Sequence, residues 1–161
     1  MAITEEELKL IVRAKQGDLE AFETLYEMHK GPTYRTALAI IGDRSAAEEI
    51  LQETFLRVFK HIHHVRQGVS LSPWLYRITV NLAYDYGKAH SRNWQIALDS
   101  IIEHLVAPAA ASPEHKVEER ELHELVYEAI DKLEFKQRAT LVLFYLHDFS
   151  LNEVSEIMDC P

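Results

Sequence analysis

Apolar positions recur along this chain at three- and four-residue spacing, and no segment alternates with period two, so the pattern predicts helices and no strands. A first helix is predicted to open at Thr4, where Thr4 and Glu7 stand three apart as in a capping box. Gly17-Asp18 ends it and caps a second, in which Leu19, Phe22, Leu25 and Tyr26 recur at helical spacing. Pro32 is expected to kink or break that second helix, because proline lacks the amide donor and clashes with the preceding turn; apolar positions continue through Leu38 and Ile41. After a turn at Gly42-Asp43, Ser45 and Glu48 form another capping-box pattern, opening a helix that runs to about Ile62. Arg66 to Ser72 reads as a loop. Ser72-Pro73 then starts a helix reaching about His90, with Ser at the cap and Pro at the first helical position.

Periodicity fades from about Asp99 to Pro113, and residues 107–113, rich in alanine and carrying Pro108 and Pro113, read as a linker. Three more helices are expected: Glu114 to Leu133, Lys136 to His147, and Leu151 to Met158 capped by Ser150 and Glu153. The expected fold is therefore all-α, with one small helical domain over 1–95, a linker over 96–113 and a second small unit over 114–161. In the last segment Val154, Ile157 and Met158 face inward and Asp159-Cys160 makes a turn, as in the first helix of a helix-turn-helix. The groove-reading helix of such a motif would follow Pro161, so the second unit is expected to be an incomplete helix-turn-helix. Fewer than about 50 residues rarely sustain a core alone. This unit should be mobile, or should dock on the first unit or on a partner.

Composition narrows the class. With 47% hydrophobic residues and only five Gly and five Pro, the chain is not of the disordered type. No apolar run approaches the roughly 18 residues needed to cross a bilayer, so direct membrane insertion is not expected. The single cysteine, Cys160, excludes an internal disulfide and suits the reducing cytoplasm. A net charge of −9 argues at first against nucleic acid, but its distribution changes that reading. Residues 1–56 carry six Lys/Arg against eleven Asp/Glu, a balance of −5, and residues 94–161 carry five against fourteen, a balance of −9. Between them, residues 57–93 carry six Lys/Arg and only Asp85, a balance of +5. Such a chain should bind free DNA poorly unless something else delivers the basic island to it.

On the helix from Pro73, Leu75, Ile78, Thr79, Leu82 and Tyr86 gather on one side and should face the core. Arg77, Asn81, Tyr84 and Lys88 form a separate stripe with Trp74 at its edge, and His61, His63, His64 and Arg66 extend the positive region. Cations neutralise phosphates, aromatics stack on unpaired bases and an Asn can bond a base edge, which suits DNA being opened. A plain solvated face, with Trp74 buried as a core anchor, is the alternative. On the helix from Ser45, Ala47, Ile50, Leu51, Thr54, Phe55 and Val58 form the core stripe. Glu49, Gln52, Glu53, Leu56 and Lys60 lie opposite, a small apolar centre with a charged rim that could receive a basic partner or could be merely solvated.

The histidines His61, His63 and His64 scatter around a helix end, without a Cys or HExxH pattern, so no metal site is expected. No nucleophile–base pattern and no Gly-rich phosphate loop stands out, so neither catalysis nor a cofactor is expected. A helical adaptor that binds protein and leaves DNA closed is the competing reading; the Arg77-Asn81-Lys88 stripe is what it has no need of.

Three segments together resemble the extracytoplasmic-function sigma factors, the smallest class of the bacterial sigma-70 family. Residues 46–57, Ala46 through Arg57, resemble that family's polymerase-binding helix, and residues 73–81 with Asp85 resemble its promoter-melting and minus-ten helix. Residues 129–133, Gln137-Arg138 and the Ser150 helix resemble the start of its minus-thirty-five domain, although Glu134-Phe135 stands where the family usually has Leu-Pro. The resemblance implies a cytoplasmic transcription-initiation factor without enzymatic activity. It implies that Glu49, Gln52 and Glu53 meet the clamp coiled coil of core RNA polymerase. Asn81 and the loop from His63 to Ser72 would capture a flipped minus-ten base, while Arg77, Lys88 and Arg92 would hold the strand backbone. An anti-sigma partner is implied as well, and minus-thirty-five readout by the chain as given is put in doubt.

Overall fold

In a computed structural model, the structure describes residues 4–66, 68–89, 129–130 and 132–159. The order is α1 (Glu5–Lys15), α2 (Leu19–Ile41), α3 (Arg44–His61), a 3-10 turn (Ile62–His64), α4 (Ser72–Ala89), α5 (Phe135–His147) and α6 (Leu151–Met158). The described residues contain no strand, in keeping with the all-α expectation. The proposed linker and most of the Glu114 helix lie outside the described residues.

Local chemistry sets the helix ends. Thr4 Oγ1 accepts from the Glu7 N–H at 3.1 Å, Asp18 Oδ1 from Ala21 at 3.1 Å and Asp43 Oδ1 from Ala46 at 3.0 Å. These caps satisfy amides that would otherwise lack partners in the first turn. The cap of α3 is thus Asp43 and not Ser45: the shorter turn after left-handed Gly42 (φ 71°) puts the Asp43 carboxylate over the new helix end. α2 runs unbroken through Pro32, against expectation. Proline disfavours a helix interior by about 3 kcal/mol, but Leu25, Ala37 and Ile40 on either side of it are wholly buried, and that packing holds the helix together. At α6 the expected capping box forms in full, Ser150 and Glu153 each bonding the other's amide.

Two hydrophobic clusters build the interior. In one, Leu10, Ile11 and Ala14 of α1 meet Ala21 and Leu25 of α2, Phe55 and Val58 of α3, and Leu71 and Leu75 at the head of α4. Buried leucines such as Leu25, Leu71 and Leu75 each contribute roughly 1.5–3 kcal/mol. The second cluster joins the two ends of the chain. Ala37 and Ile40 of α2 and Tyr76, Val80 and Ala83 of α4 pack with Ala139, Val142 and Leu143 of α5, Phe149, and Val154 and Ile157 of α6. Of the three outcomes expected for the C-terminal unit, docking of its described helices on the N-terminal ones is the one seen.

That docking corrects the reading of α4. Periodicity assigned it one core side, yet Tyr76, Val80 and Ala83 are buried too, because α5 and α6 supply a second wall. Polar groups complete the joint. His147 is buried between Thr36 and Tyr76, with Nε2 2.6 Å from Thr36 Oγ1 and Nδ1 3.0 Å from the Tyr76 hydroxyl. The Thr36 hydroxyl already donates to the Pro32 carbonyl at 2.9 Å, so it accepts from Nε2–H, and a neutral imidazole then takes the Tyr76 proton at Nδ1. Burial pushes the Tyr76 phenol well above its ordinary pKa, with Arg35 opposing weakly, so it stays a donor. Arg138, also buried, donates to the Ile40 and Leu133 carbonyls.

Candidate functional site

The outer side of α3 is open. Glu49, Gln52, Leu56, Phe59 and Lys60 are exposed, and Leu56 and Phe59 keep 52% and 47% of their surface although both are large and apolar. Beneath them lies a shallow groove of about 340 Å³ lined by Phe22, Tyr26, Gln52, Phe55, Leu56 and Phe59. Edge-to-face ring pairs fix its floor: Phe22–Phe59 at 5.0 Å and Tyr26–Phe55 at 4.8 Å. Glu53 is tied back to Arg57 at 2.8 Å on the groove's charged margin. The arrangement offers an apolar slot with acids and an amide at its rim, which suits a basic, partly apolar protein element.

The expected DNA stripe of α4 is drawn differently. Arg77, Asn81, Tyr84 and Lys88 are all exposed and Trp74 is half-buried, packed against the first cluster. The stripe is nevertheless engaged by the chain's own C-terminal unit. The Arg77 guanidinium lies 3.3 Å from Asp159, and a cleft of about 330 Å³ brings Pro73, Trp74 and Arg77 against Glu153, Glu156 and Ile157. Further along, Tyr84 meets Phe135 edge-to-face at 5.0 Å, with Lys88 Nζ 4.3 Å from its ring centre. Three acids thus stand beside the start of the basic stripe. Arg66 is exposed on the loop that leads into α4, and the His63 and His64 rings sit 4.1 Å apart before it. Arg92 lies outside the described residues.

Comparison with known proteins decides the family. The model of sigma-70 region 2 matches residues 25–93, from the second turn of α2 through α3 and the loop to the end of α4. Over 137 residues the chain is 33% identical to the ECF RNA polymerase sigma factor SigM of Bacillus subtilis, covering 85% of this chain and 81% of that protein. It is 30% identical to SigW of the same organism over 160 residues, covering 95% and 85%. The chain belongs to the extracytoplasmic-function sigma factors. The sigma-E factor of Escherichia coli is 29% identical over 160 residues, covering 94% of the chain and 82% of that protein. In fold it is similar to CnrH, solved in complex with the cytosolic domain of CnrY, with a TM-score of 0.66 at 16% identity over 98% of this chain and 85% of that one.

As a sigma factor the protein is an alternative initiation factor of transcription, not an enzyme. Of the residues singled out from sequence, α3 brings Glu49, Gln52, Glu53 and Leu56 together on one face as expected. α4 does the same for Arg77, Asn81, Tyr84 and Lys88. Sequence reasoning missed the aromatic half of the groove. Phe59 could have been found, since it follows Gln52 by seven residues, two helical turns on the same side. Phe22 and Tyr26 could not, because only the packing of α2 against α3 brings them there.

Proposed function

We propose that this sigma factor docks on the clamp coiled coil of core RNA polymerase through the outer face of α3, with Glu49, Gln52, Glu53 and Leu56 as contacts. α4 and the loop before it then engage the minus-ten element: Asn81 and the loop capture a base, Trp74 and Tyr84 offer stacking surfaces, and Arg66, Arg77, Lys88 and Arg92 hold phosphates. The observation that carries this reading is the open groove under Leu56 and Phe59, an exposed apolar surface with a polar rim and no cover from the described parts of the chain. The relatives are named as RNA polymerase sigma factors, which supports the same partner.

Order follows from the α4 side. While α6 lies beside Arg77 and Trp74, its acids compete with phosphates for the same cations, so DNA engagement requires the C-terminal unit to move off. Docking on polymerase comes first and promoter opening second. The chain acts in the cytoplasm; none of its described helices is long and apolar enough to cross a membrane. An anti-sigma protein is a second partner, a reading supported by the complex of CnrH with the cytosolic domain of CnrY.

The test is co-elution of the purified chain with core polymerase, beside a Gln52→Ala/Glu53→Ala variant. Both side chains lie on the rim, so the fold should survive and retention should fall. Failure of the wild-type chain to bind would overturn the assignment of the α3 face.

A further inference from the structure

α1 holds both ends of the loop between the 3-10 turn and α4. Glu7 is only 6% exposed, although it sits in the first turn of a surface helix. Its Oε1 accepts from the Leu71 N–H at 3.1 Å and from the Ser70 hydroxyl at 3.2 Å, and His29 Nε2 of α2 lies 3.3 Å from the same oxygen. The Ser70 hydroxyl in turn accepts from the Ser72 N–H at 3.2 Å, which carries the contact into the first residue of α4. Two turns along α1, Lys15 Nζ donates to the Val65 carbonyl at 2.7 Å. One helix therefore grips the loop where it begins, at Val65, and where it ends, at Ser70 and Leu71. Between the grips, Arg66, Gly68 and Val69 are exposed, and Gly68 takes a left-handed φ of 79° that turns the chain.

A carboxylate is seldom buried unless bonded, and this one is bonded by main-chain and side-chain donors from residues 63 and 64 positions away. Burial pushes the Glu7 carboxyl up, but His29, the Leu71 amide and Ser70 outweigh it and leave its pKa below the ordinary value. The charged form is the one the site is built around. Packing alone does not need such an arrangement, since the neighbouring Leu10, Ile11 and Ala14 already bury α1.

We propose that Glu7 and Lys15 are positioning residues for minus-ten recognition, fixing Val65 at one end of the loop and Ser70 and Leu71 at the other, so that exposed Arg66, Gly68 and Val69 meet the captured base in a fixed place. The proposal rests on the reading that this loop touches promoter DNA. A loop clamped at both ends loses little conformational entropy on binding, and a base is discriminated only when the reading groups are held in register.

The experiment uses holoenzyme assembled from the full chain and core polymerase, transcribing a promoter library with randomised minus-ten positions, with transcripts sequenced. Four chains are compared with wild type: Glu7→Ala, Glu7→Gln, Lys15→Met and the loop variant Arg66→Ala/Val69→Ala. Lys15→Met keeps the apolar stem and removes only the ammonium, which guards against a Glu7→Ala chain that folds poorly. The expected result is that Glu7→Ala and Lys15→Met blunt the preferred-base ratio at one or two positions by about fivefold or more. Glu7→Gln, still an acceptor, should restore most of the ratio, and retention on core polymerase should not change. If the loop variant blunts the preference while Glu7→Ala and Lys15→Met leave it intact, the positioning role is wrong and the DNA-reading loop stands. If the loop variant too leaves the preference intact, the loop does not read DNA and both fall. A drop in total transcript with an unchanged preference means a purely structural role and also overturns the proposal.

Discussion

The outer faces of α3 and α4 start from similar material, amphipathic helices of 18 residues each, and end in opposite states. α3 packs one side against α2 and α4 and leaves the other open, with Leu56 and Phe59 on the surface. α4 is walled on two sides, and its basic stripe meets acids from α6. The reason lies in the residues between the stripes. On α4, Tyr76, Val80 and Ala83 form an additional apolar edge that α5 and α6 cover, whereas on α3 the equivalent edge is charged, with Glu49, Glu53 and Arg57. An open apolar groove is ready for a partner; a basic face flanked by the chain's own acids is less so. On the proposed reading, this contrast is what orders the two binding events.

The largest way to break this comparison is to undo the docking. Phe149→Ala removes a ring that is 2% exposed at the centre of the shared cluster, and should cost about 3–5 kcal/mol in denaturant unfolding. Hydrogen exchange should rise in α5 and α6 and far less in α1 to α3. Equal loosening of α1 to α3 would mean that the covering unit cannot open separately. Tyr76→Phe works on the same joint more gently: it deprives buried His147 Nδ1 of its hydroxyl partner and should cost about 1–3 kcal/mol.

The open face is tested by Leu56→Asp/Phe59→Ser, which should leave the melting temperature near wild type and weaken retention on core polymerase by about tenfold, or 1.4 kcal/mol. Unchanged retention would show that the groove is not the contact. A smaller effect is expected with acid. Glu7 and Glu153 both have folded pKa values below the ordinary 4.5, Glu7 despite burial and through the adjacent His29 and its bonds with Leu71 and Ser70, Glu153 through its bonds with Ser150. Their stabilising contributions are therefore complete above about pH 4.5 and are lost as pH falls through the lowered folded values. His29 is the titratable side chain in contact with Glu7, and Glu7→Gln should flatten the acid limb of a stability–pH curve. Smallest of all, Asp159→Asn loosens only an exposed ion pair, so stability should not move while binding of the free chain to single-stranded DNA at low salt should rise slightly. No change would mean that α6 screens Arg77 too weakly to matter.

Much of this was legible from residues alone. The described helices, the Ser150–Glu153 cap, the Gly17-Asp18 junction and the gathering of Glu49, Gln52, Glu53 and Leu56 on one face of α3 follow from local rules: caps are made within four residues, and a helix face is set by its own period. Where a signal had two possible meanings, locality chose wrongly. Glu7 stands where a capping box wants an acid, and Thr4 does cap the helix, but the Glu7 carboxylate turns instead to Leu71 and Ser70. Ser45 and Glu48 look like a cap, yet Asp43 takes the place. Pro32 should interrupt α2, and does not, because long-range packing outweighs a local penalty.

The sequence by itself determined where most of the described helices lie, the division of charge and, through three motifs in order, the family, because each depends on neighbours along the chain. The tertiary structure alone decided which side of α4 is covered, that Phe22 and Tyr26 join Phe59 in one groove, and that Glu7 and Lys15 clamp a loop more than forty residues away. Those outcomes turn on how apolar edges and buried polar groups find partners across the chain, and partners distant in sequence leave no period for a local pattern to carry.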